Sequence, residues 1–376
     1  MKQPQIQEHE REHAPLERGL NKILSPFDTF RASQSSTGTM LLLAALLAFL
    51  LANSQWRDLY ESFNQMPLRL SLGEWHIGFS LHHWVNDGLM VIFFFVLGLE
   101  IKRECLVGEL RDPRRSLLVL SMALGGMVLP AAIYAAIAAL GDATANRGWG
   151  IPMATDTAFA LGALALLGSR APRSAAVILS ALAIVDDIGA VLVIGLFYTE
   201  AFDRQALFNA GLVLAVLFGF NLVGIRRPLF YLVGALLLWW FILHSGVHAT
   251  VAGVLAALTV PTRPYAETSW FVRRMRQVVN RFEELDHPDQ TIFEEHRQHA
   301  LTEQAQLIAK QTATPLQHWG SLLDKPVSWT ILPLFALLNA GVAMPDDLGA
   351  ALSSTVALAT AAGLVLGKGL GIFTCA

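Results

Sequence analysis

The stretch ALAIVDDIGAVLVIGLFYT, residues 181–199, is apolar along most of its length except for two adjacent carboxylates, Asp186 and Asp187. A run of about 20 apolar residues is what the ~30 Å hydrocarbon core of a bilayer asks of a spanning helix. A charge at the centre of such a helix costs about 3 kcal/mol on insertion scales, so a helix that keeps two is expected to use them. Neighbouring side chains on a helix diverge by roughly 100°, so Asp186 and Asp187 cannot both point straight at one ligand. One should face a site and the other a second partner.

The rest of the chain places this stretch in a membrane. Of 376 residues 54% are apolar and 15% charged, and mean hydropathy is +0.47, whereas an ordinary soluble domain carries about a quarter charged residues. The apolar residues fall into ten runs, at 38–55, 84–101, 116–140, 149–168, 174–197, 206–224, 229–243, 246–261, 327–344 and 353–375. Residues 1–37 are polar and lack the basic-then-apolar order of a signal peptide, and so read as a cytosolic N-terminal extension. With that end inside, 22 of the 27 Lys and Arg fall on inner segments, while the outer ones hold only Arg57, Arg69, Arg147 and Arg204. The positive-inside bias therefore sets the orientation. A net charge of −3 without a concentrated basic face argues against a nucleic-acid partner. Two cysteines, Cys105 and Cys375, give neither a disulfide framework nor a metal site. On the outer side, alternation through Leu68, Leu70, Leu72 and then Trp75, Ile77, Phe79 predicts a hairpin over 68–79, with an unstructured loop as the alternative. On the inner side, the charged insert 262–326 carries apolar residues at helical spacing, Phe271, Met275, Val278 and Phe282 among them. It reads as an amphipathic helix on the membrane or the protein, followed by a flexible stretch.

Few other ionisable residues lie within the apolar runs. Asp156 sits in ATDTAF (154–159) and Lys368 in LGKGLG (366–371), while Asp87, Glu100 and Glu104 flank the second run, either as solvated helix ends or in function. Pro152, the pair Thr155 and Asp156, and Gly162 interrupt the fourth run, so local unwinding is expected there, which membranes tolerate only where backbone lines a cavity. Freed carbonyls, a threonine hydroxyl and carboxylates are hard oxygen donors suited to a small hard cation. The same oxygens can hold protons instead. A site that takes either, and faces one side at a time, is an exchanger.

The strings FFFVLGLEIKRE (93–104), GWGIPMATDTAFALGALALLGSR (148–170), ALAIVDDIGAVLVIGLFYT, HSGVHATVAGV (244–254), LPLFALLNAGV (332–342) and GLVLGKGLGI (363–372) resemble, in order, the NhaA-type sodium/proton antiporter family. The resemblance implies an all-α polytopic fold of twelve helices with inverted-topology repeats, an arrangement for which this family is a standing example. It implies that Asp187 is the principal sodium-binding carboxylate, that Asp186 exchanges protons and pairs with Lys368, and that Thr155 and Asp156 occupy the unwound part of a broken helix. Glu100 and Glu104 at the inner funnel, with His248 and Asp87, are assigned by it to the pH response. Sodium or lithium and protons are the expected cargo, without any cofactor, in a bacterial inner membrane and with a homodimer formed through the outer hairpin. Residues 318–325 (HWGSLLDK) give no clear counterpart to the glutamate the family often places before the ninth run. Ten runs against twelve helices lead us to expect an antiporter domain, 38–376, that is incomplete at its C-terminus.

Other classes compete with this reading. An intramembrane aspartyl protease would also hold two carboxylates, but its Tyr-Asp and Gly-x-Gly-Asp motifs are absent here. An organic-anion symporter on a related fold would need a roomier pocket, and a channel would need ring-forming repeats. The residues therefore point to transport and not to an enzyme.

Overall fold

The computed structural model describes residues 26–72, 75–141, 143–153, 164, 173–198, 202–264, 268–284, 296–312 and 314–376. Thr155 and Asp156 lie outside them. Helix α1 (Pro26–Ala52) is followed by the short α2 (Arg57–Asn64) and by strands β1 (Pro67–Leu72) and β2 (Trp75–Ser80). The strands pair antiparallel, with Leu68 opposite Phe79 and Leu72 opposite Trp75. Next come α3 (Leu81–Val107) and α4 (Pro113–Ala139), a 3-10 segment (Ala143–Met153), then α5 (Arg173–Phe197), α6 (Arg204–Val223), α7 (Pro228–His244), α8 (Val251–Thr259), α9 (Thr268–Glu284) and α10 (His296–Thr312). The described chain closes with α11 (Pro315–Asn339) and α12 (Thr355–Thr374).

Among the described residues, α3, α4, α6, α11 and α12 are long and apolar enough to cross a bilayer. The pair Gly38–Ala52 and Arg57–Asn64, bent by 118°, makes a sixth span if counted as one. The architecture is that of an all-α membrane protein with one two-stranded ribbon. Several elements differ in extent from the apolar runs. Helix α1 begins at Pro26, within the segment read as a polar extension, and α11 begins at Pro315, well before its apolar run. There Thr314 caps the helix, its Oγ1 accepting from Gln317 N while Pro315 fills the first turn. The run 246–261 yields only the nine residues of α8, about 13 Å at 1.5 Å per residue, because Gly246 at φ +85° turns the chain after α7. While residues 285–295 lie outside the described residues, part of the stretch of the insert expected to be flexible is helix α10. Leu301, Ala305 and Ile308 recur on one face of it and bury against Val278 of α9.

Glycines set how closely the helices approach. Gly363, Gly367 and Gly371 form a stripe on α12 that lies on Pro130 and on Gly125 of α4. A methyl group on Gly367 would stand 2.6 Å from Pro130 Cα, and one on Gly371 would stand 2.1 Å from the Gly125 carbonyl oxygen. Neither position can hold a Cβ while the backbones stay in place. Similarly, Gly253 of α8 abuts the Val91 carbonyl of α3, and Gly98 of α3 abuts Ala257 of α8. Small residues that let backbones touch are the usual means of helix association in lipid, where hydrophobicity gives no drive.

Among the described residues three helices contain a π-helical turn: Trp84–Leu89 in α3, Val327–Ile331 in α11 and Gly363–Lys368 in α12. The second directly follows Pro326, whose missing N–H removes a rung from the α-helical ladder. The first contains Asp87 and the third ends on Lys368, and such single-turn bulges frequently mark functional positions.

The glycine stripe gives a direct test. Gly371→Ala should lower the unfolding midpoint of the detergent-solubilised protein by the equivalent of about 1–3 kcal/mol, the usual cost of overpacking. An unchanged midpoint would show that α4 and α12 can separate freely.

Candidate ion-binding site

Lys368 reaches the middle of α5 because its helix approaches α4 so closely. Its side chain passes beside Gly126, where an added methyl would lie 3.7 Å from Lys368 Cε. The ammonium Nζ donates to both carboxylate oxygens of Asp186, at 2.8 Å to Oδ1 and 2.6 Å to Oδ2. It also donates to the backbone carbonyl of Met153, at the end of the 3-10 segment. The pair is buried: the side chain of Asp186 is 5% exposed and that of Lys368 12%. Val119, Ala123 and Met127 of α4, Met153, and Ala181, Leu182 and Val185 of α5 form the apolar packing around it.

Asp187 is half-buried and, one residue further on, sits about 100° around the helix axis from Asp186. The lysine meets Asp186, the aspartate the family resemblance names. Asp186, Lys368 and Met153 thus come together, the last marked in the sequence only by the adjacent Pro152 and the polar break after it. Thr155 and Asp156 lie outside the described residues.

The remaining candidates separate into two groups at opposite ends of α3. At one end Glu100 accepts from Arg103, whose guanidinium also lies 3.6 Å from Glu104 Oε1. Glu100 further feels the carboxylates of Glu104 and Asp324. Asp324, from α11, is the single acid in HWGSLLDK, the string that gives no clear counterpart to the glutamate the family often places before the ninth run. Nearby, Lys102 donates to the carbonyls of Leu258 and Val260, and Asn221 donates to that of Thr259 at 2.7 Å. Three successive carbonyls at the end of α8 are satisfied in this way.

Asp87 lies 13 residues before Glu100, or about 20 Å along the helix. Its Oδ2 is 3.1 Å from His83 Nδ1, and its backbone carbonyl accepts from the Trp239 indole. His248 contacts the Thr250 hydroxyl at 2.9 Å, in the turn before α8. Because Gly253 packs on Val91 while the far end of α8 packs near Lys102, His248 stands on the Asp87 side and not beside Glu100 and Glu104.

An all-helical membrane protein that holds a carboxylate and an ammonium against each other inside its bundle has the makings of an ion-coupled transporter. Residues 28–376 match the family described as Na+/H+ antiporter 1. The chain is 60% identical over 368 residues to the Na(+)/H(+) antiporter NhaA 1 of Pseudoalteromonas atlantica, covering 98% of this chain and 78% of that protein. It is 45% identical over 359 residues to the Na(+)/H(+) antiporter NhaA 1 of Saccharophagus degradans, with 95% and 76% covered. It is likewise 45% identical over 355 residues to the Na(+)/H(+) antiporter NhaA of Koribacter versatilis, with 94% and 76% covered. The chain belongs to this antiporter family.

The buried pair makes its own prediction. Removing one partner of a buried ion pair leaves an uncompensated charge, typically at about 3–5 kcal/mol. Lys368→Ala should therefore lower the thermal midpoint in detergent, and adding Asp186→Asn to it should recover much of the loss. A midpoint that Lys368→Ala leaves unchanged would mean that the contact contributes nothing.

Proposed function

We propose that Asp186, Asp187 and Lys368 carry the sodium/proton exchange of this antiporter by letting a cation and protons compete for one set of oxygen atoms. The observation that carries this reading is the two-oxygen contact of Lys368 with the buried Asp186. In the cation-free state the ammonium neutralises Asp186 and occupies the Met153 carbonyl. Sodium entering beside Asp187 draws on the same carboxylates, so the ammonium loses its partner and protons leave the site as the cation binds. Thr155 and Asp156, which follow Met153 in sequence, complete the oxygen set in this reading, with lithium as an alternative small cation. Reloading with protons from the opposite side restores the lysine pair and completes the cycle.

Direction follows from charge. About 2.3 kcal/mol per charge per 100 mV is available from the membrane potential, and about 1.4 kcal/mol per proton from each pH unit. When more protons enter than sodium ions leave, an inside-negative potential drives sodium out, and the protein then serves sodium and pH homeostasis. Glu100 and Glu104, joined by Asp324, form the carboxylate cluster that adjusts activity to internal pH, while Asp87 and His248 do so from the other end. The wider arrangement that fits this cycle has ten spans of a twelve-helix inverted-repeat fold. It places the N-terminus in the cytoplasm, in a bacterial inner membrane, with two copies joined through the β1–β2 ribbon. The protease alternative is not favoured: Asp186 is engaged by a lysine, and the relatives are named antiporters.

In vesicles with an acidic lumen, added sodium should release protons from the wild-type protein. Asp187→Asn should insert normally and abolish that release, because an amide of the same shape holds no exchangeable proton. Near-normal exchange by Asp187→Asn would remove the central residue. Competition also fixes a sign for pH. Ligand groups must be deprotonated to bind a cation, so the sodium concentration giving half-maximal rate should fall as pH rises, about tenfold per unit for each proton displaced. A half-maximal concentration that is constant with pH would sink the competition.

A further inference from the structure

The hairpin formed by α9 and α10 uses its apolar face internally. Trp270, Phe271, Met275 and Phe282 pack with the buried Val278 of α9 and the buried Leu301 and Ile308 of α10. At 100° per residue, Phe271, Met275, Val278 and Phe282 lie within about 60° of one another around α9, whereas Arg273, Arg274, Arg276 and Arg281 fall in an arc of about 160° turned away from them. All four arginines are exposed. Arg274 donates to Gln277, and among the described residues none of the four forms an ion pair. The two acids of α9, Glu283 and Glu284, stand at its last turn. Glu284 falls within the same arc, so an exposed face carrying four arginines and one acid is turned away from this small core.

Its position is also fixed. Helix α8 is tied at its end to Lys102 and Asn221, and the Pro264 carbonyl accepts from Arg226 in the turn between α6 and α7. Helix α9 starts four residues after Pro264, a chain length of about 14 Å at most. Its first turn is thus close to a Debye length, about 8–10 Å, from the end of the bundle where those helices meet the bilayer surface. The far end of the hairpin returns to the same surface, because α10 ends at Thr312 and α11 begins at Pro315.

We infer that the arginine face of α9 docks onto the anionic phospholipid headgroups of the adjacent leaflet and seats the α9–α10 hairpin on the membrane. The inference rests on the inward orientation proposed above, which makes this the leaflet whose negative surface potential attracts basic juxtamembrane segments. Guanidinium suits the role because its planar fork gives two parallel hydrogen bonds to one phosphate. The occupant is the lipid phosphodiester and not a soluble polyanion, because both ends of the hairpin are tethered to the same end of the bundle, where Leu316 and Trp319 of α11 pack with Val260.

To test this, Asn280→Cys on the exposed surface of α9 is labelled with an environment-sensitive fluorophore, in protein whose Cys105 and Cys375 are replaced by Ser. The labelled protein is reconstituted into vesicles of phosphatidylcholine alone or of phosphatidylcholine mixed with phosphatidylglycerol. Phosphatidylglycerol should shift the emission to the blue. The shift should vanish near 1 M salt, where the Debye length is about 3 Å. Replacing all four arginines by Gln should reduce the fraction of α9 on the bilayer about tenfold or more, whereas replacing them by Lys should keep most of the shift and so exclude misfolding as the cause. Equal emission in the two lipid mixtures, or a full shift in the Gln variant, overturns the inference. A response to added RNA without any response to phosphatidylglycerol overturns it as well. Both leaflets of these vesicles have the same composition, so the outcome does not depend on orientation. An impermeant thiol reagent applied to intact cells tests the orientation separately.

Discussion

A carboxylate buried among methionine, valine and leucine side chains is stable only if its charge is answered, and here one ammonium answers it. Taking either ion out of water alone costs several kcal/mol. Asp186 and Lys368 therefore have to arrive together, which fixes the separation of α5 from α12 and of both from α4. The glycines opposite Pro130 and Gly125 follow from that requirement. A lysine side chain is only some 6 Å long, and any Cβ on the stripe at Gly363, Gly367 and Gly371 would push its helix outward. The π-helical turn ending on Lys368 adds a local change of phase, which aims one residue at α5 without turning the whole helix.

The same economy of polar groups shapes both ends of the bundle. No water is present in hydrocarbon to satisfy carbonyls at helix ends, so side chains must do so. At the end of α8, Lys102 and Asn221 cover three consecutive carbonyls. At the end of α11, Tyr60 and Asn64 donate to the carbonyls of Leu337 and Leu338, and Asn53 binds the chain just beyond, at Val342 and Met344. These contacts allow a nine-residue helix and a sharply bent pair to stand among full-length spans. They also hold α3 rigidly against α8, so that the carboxylate cluster with Glu100 and the Asp87–His83 pair are set about 20 Å apart on one rod.

A charge pair that is stable but not optimal suits an exchanger. A lysine locked permanently onto Asp186 would exclude a cation, and a bare pair of aspartates would hold one too tightly or would fail to fold. An ammonium that shares its partner with a backbone carbonyl lies between these limits, since both acceptors are also hard oxygen ligands for sodium. In the proposed cycle, the pairing of Asp186 with Lys368 is the one that the transported ion replaces.

Much of this protein can be read from local sequence, because the cost of placing a charge in hydrocarbon and the length of an apolar run depend only on neighbours along the chain. These features marked the membrane class, most of the long helices, and Asp186, Asp187 and Lys368 as the residues to explain. The amphipathic spacing of α9 was visible in the same way. The partner helix α10 was not, since its face is only weakly apolar and gains its meaning against Val278. Spacing alone left open which aspartate meets Lys368, although the family resemblance named Asp186; the part played by the Met153 carbonyl, the side of α3 on which His248 stands, and the electrostatic influence of Asp324 on Glu100 were decided by the tertiary structure. Each depends on which helices are neighbours and at what height they cross, and glycine contacts and interrupted hydrogen-bond ladders set those heights between segments far apart in the chain.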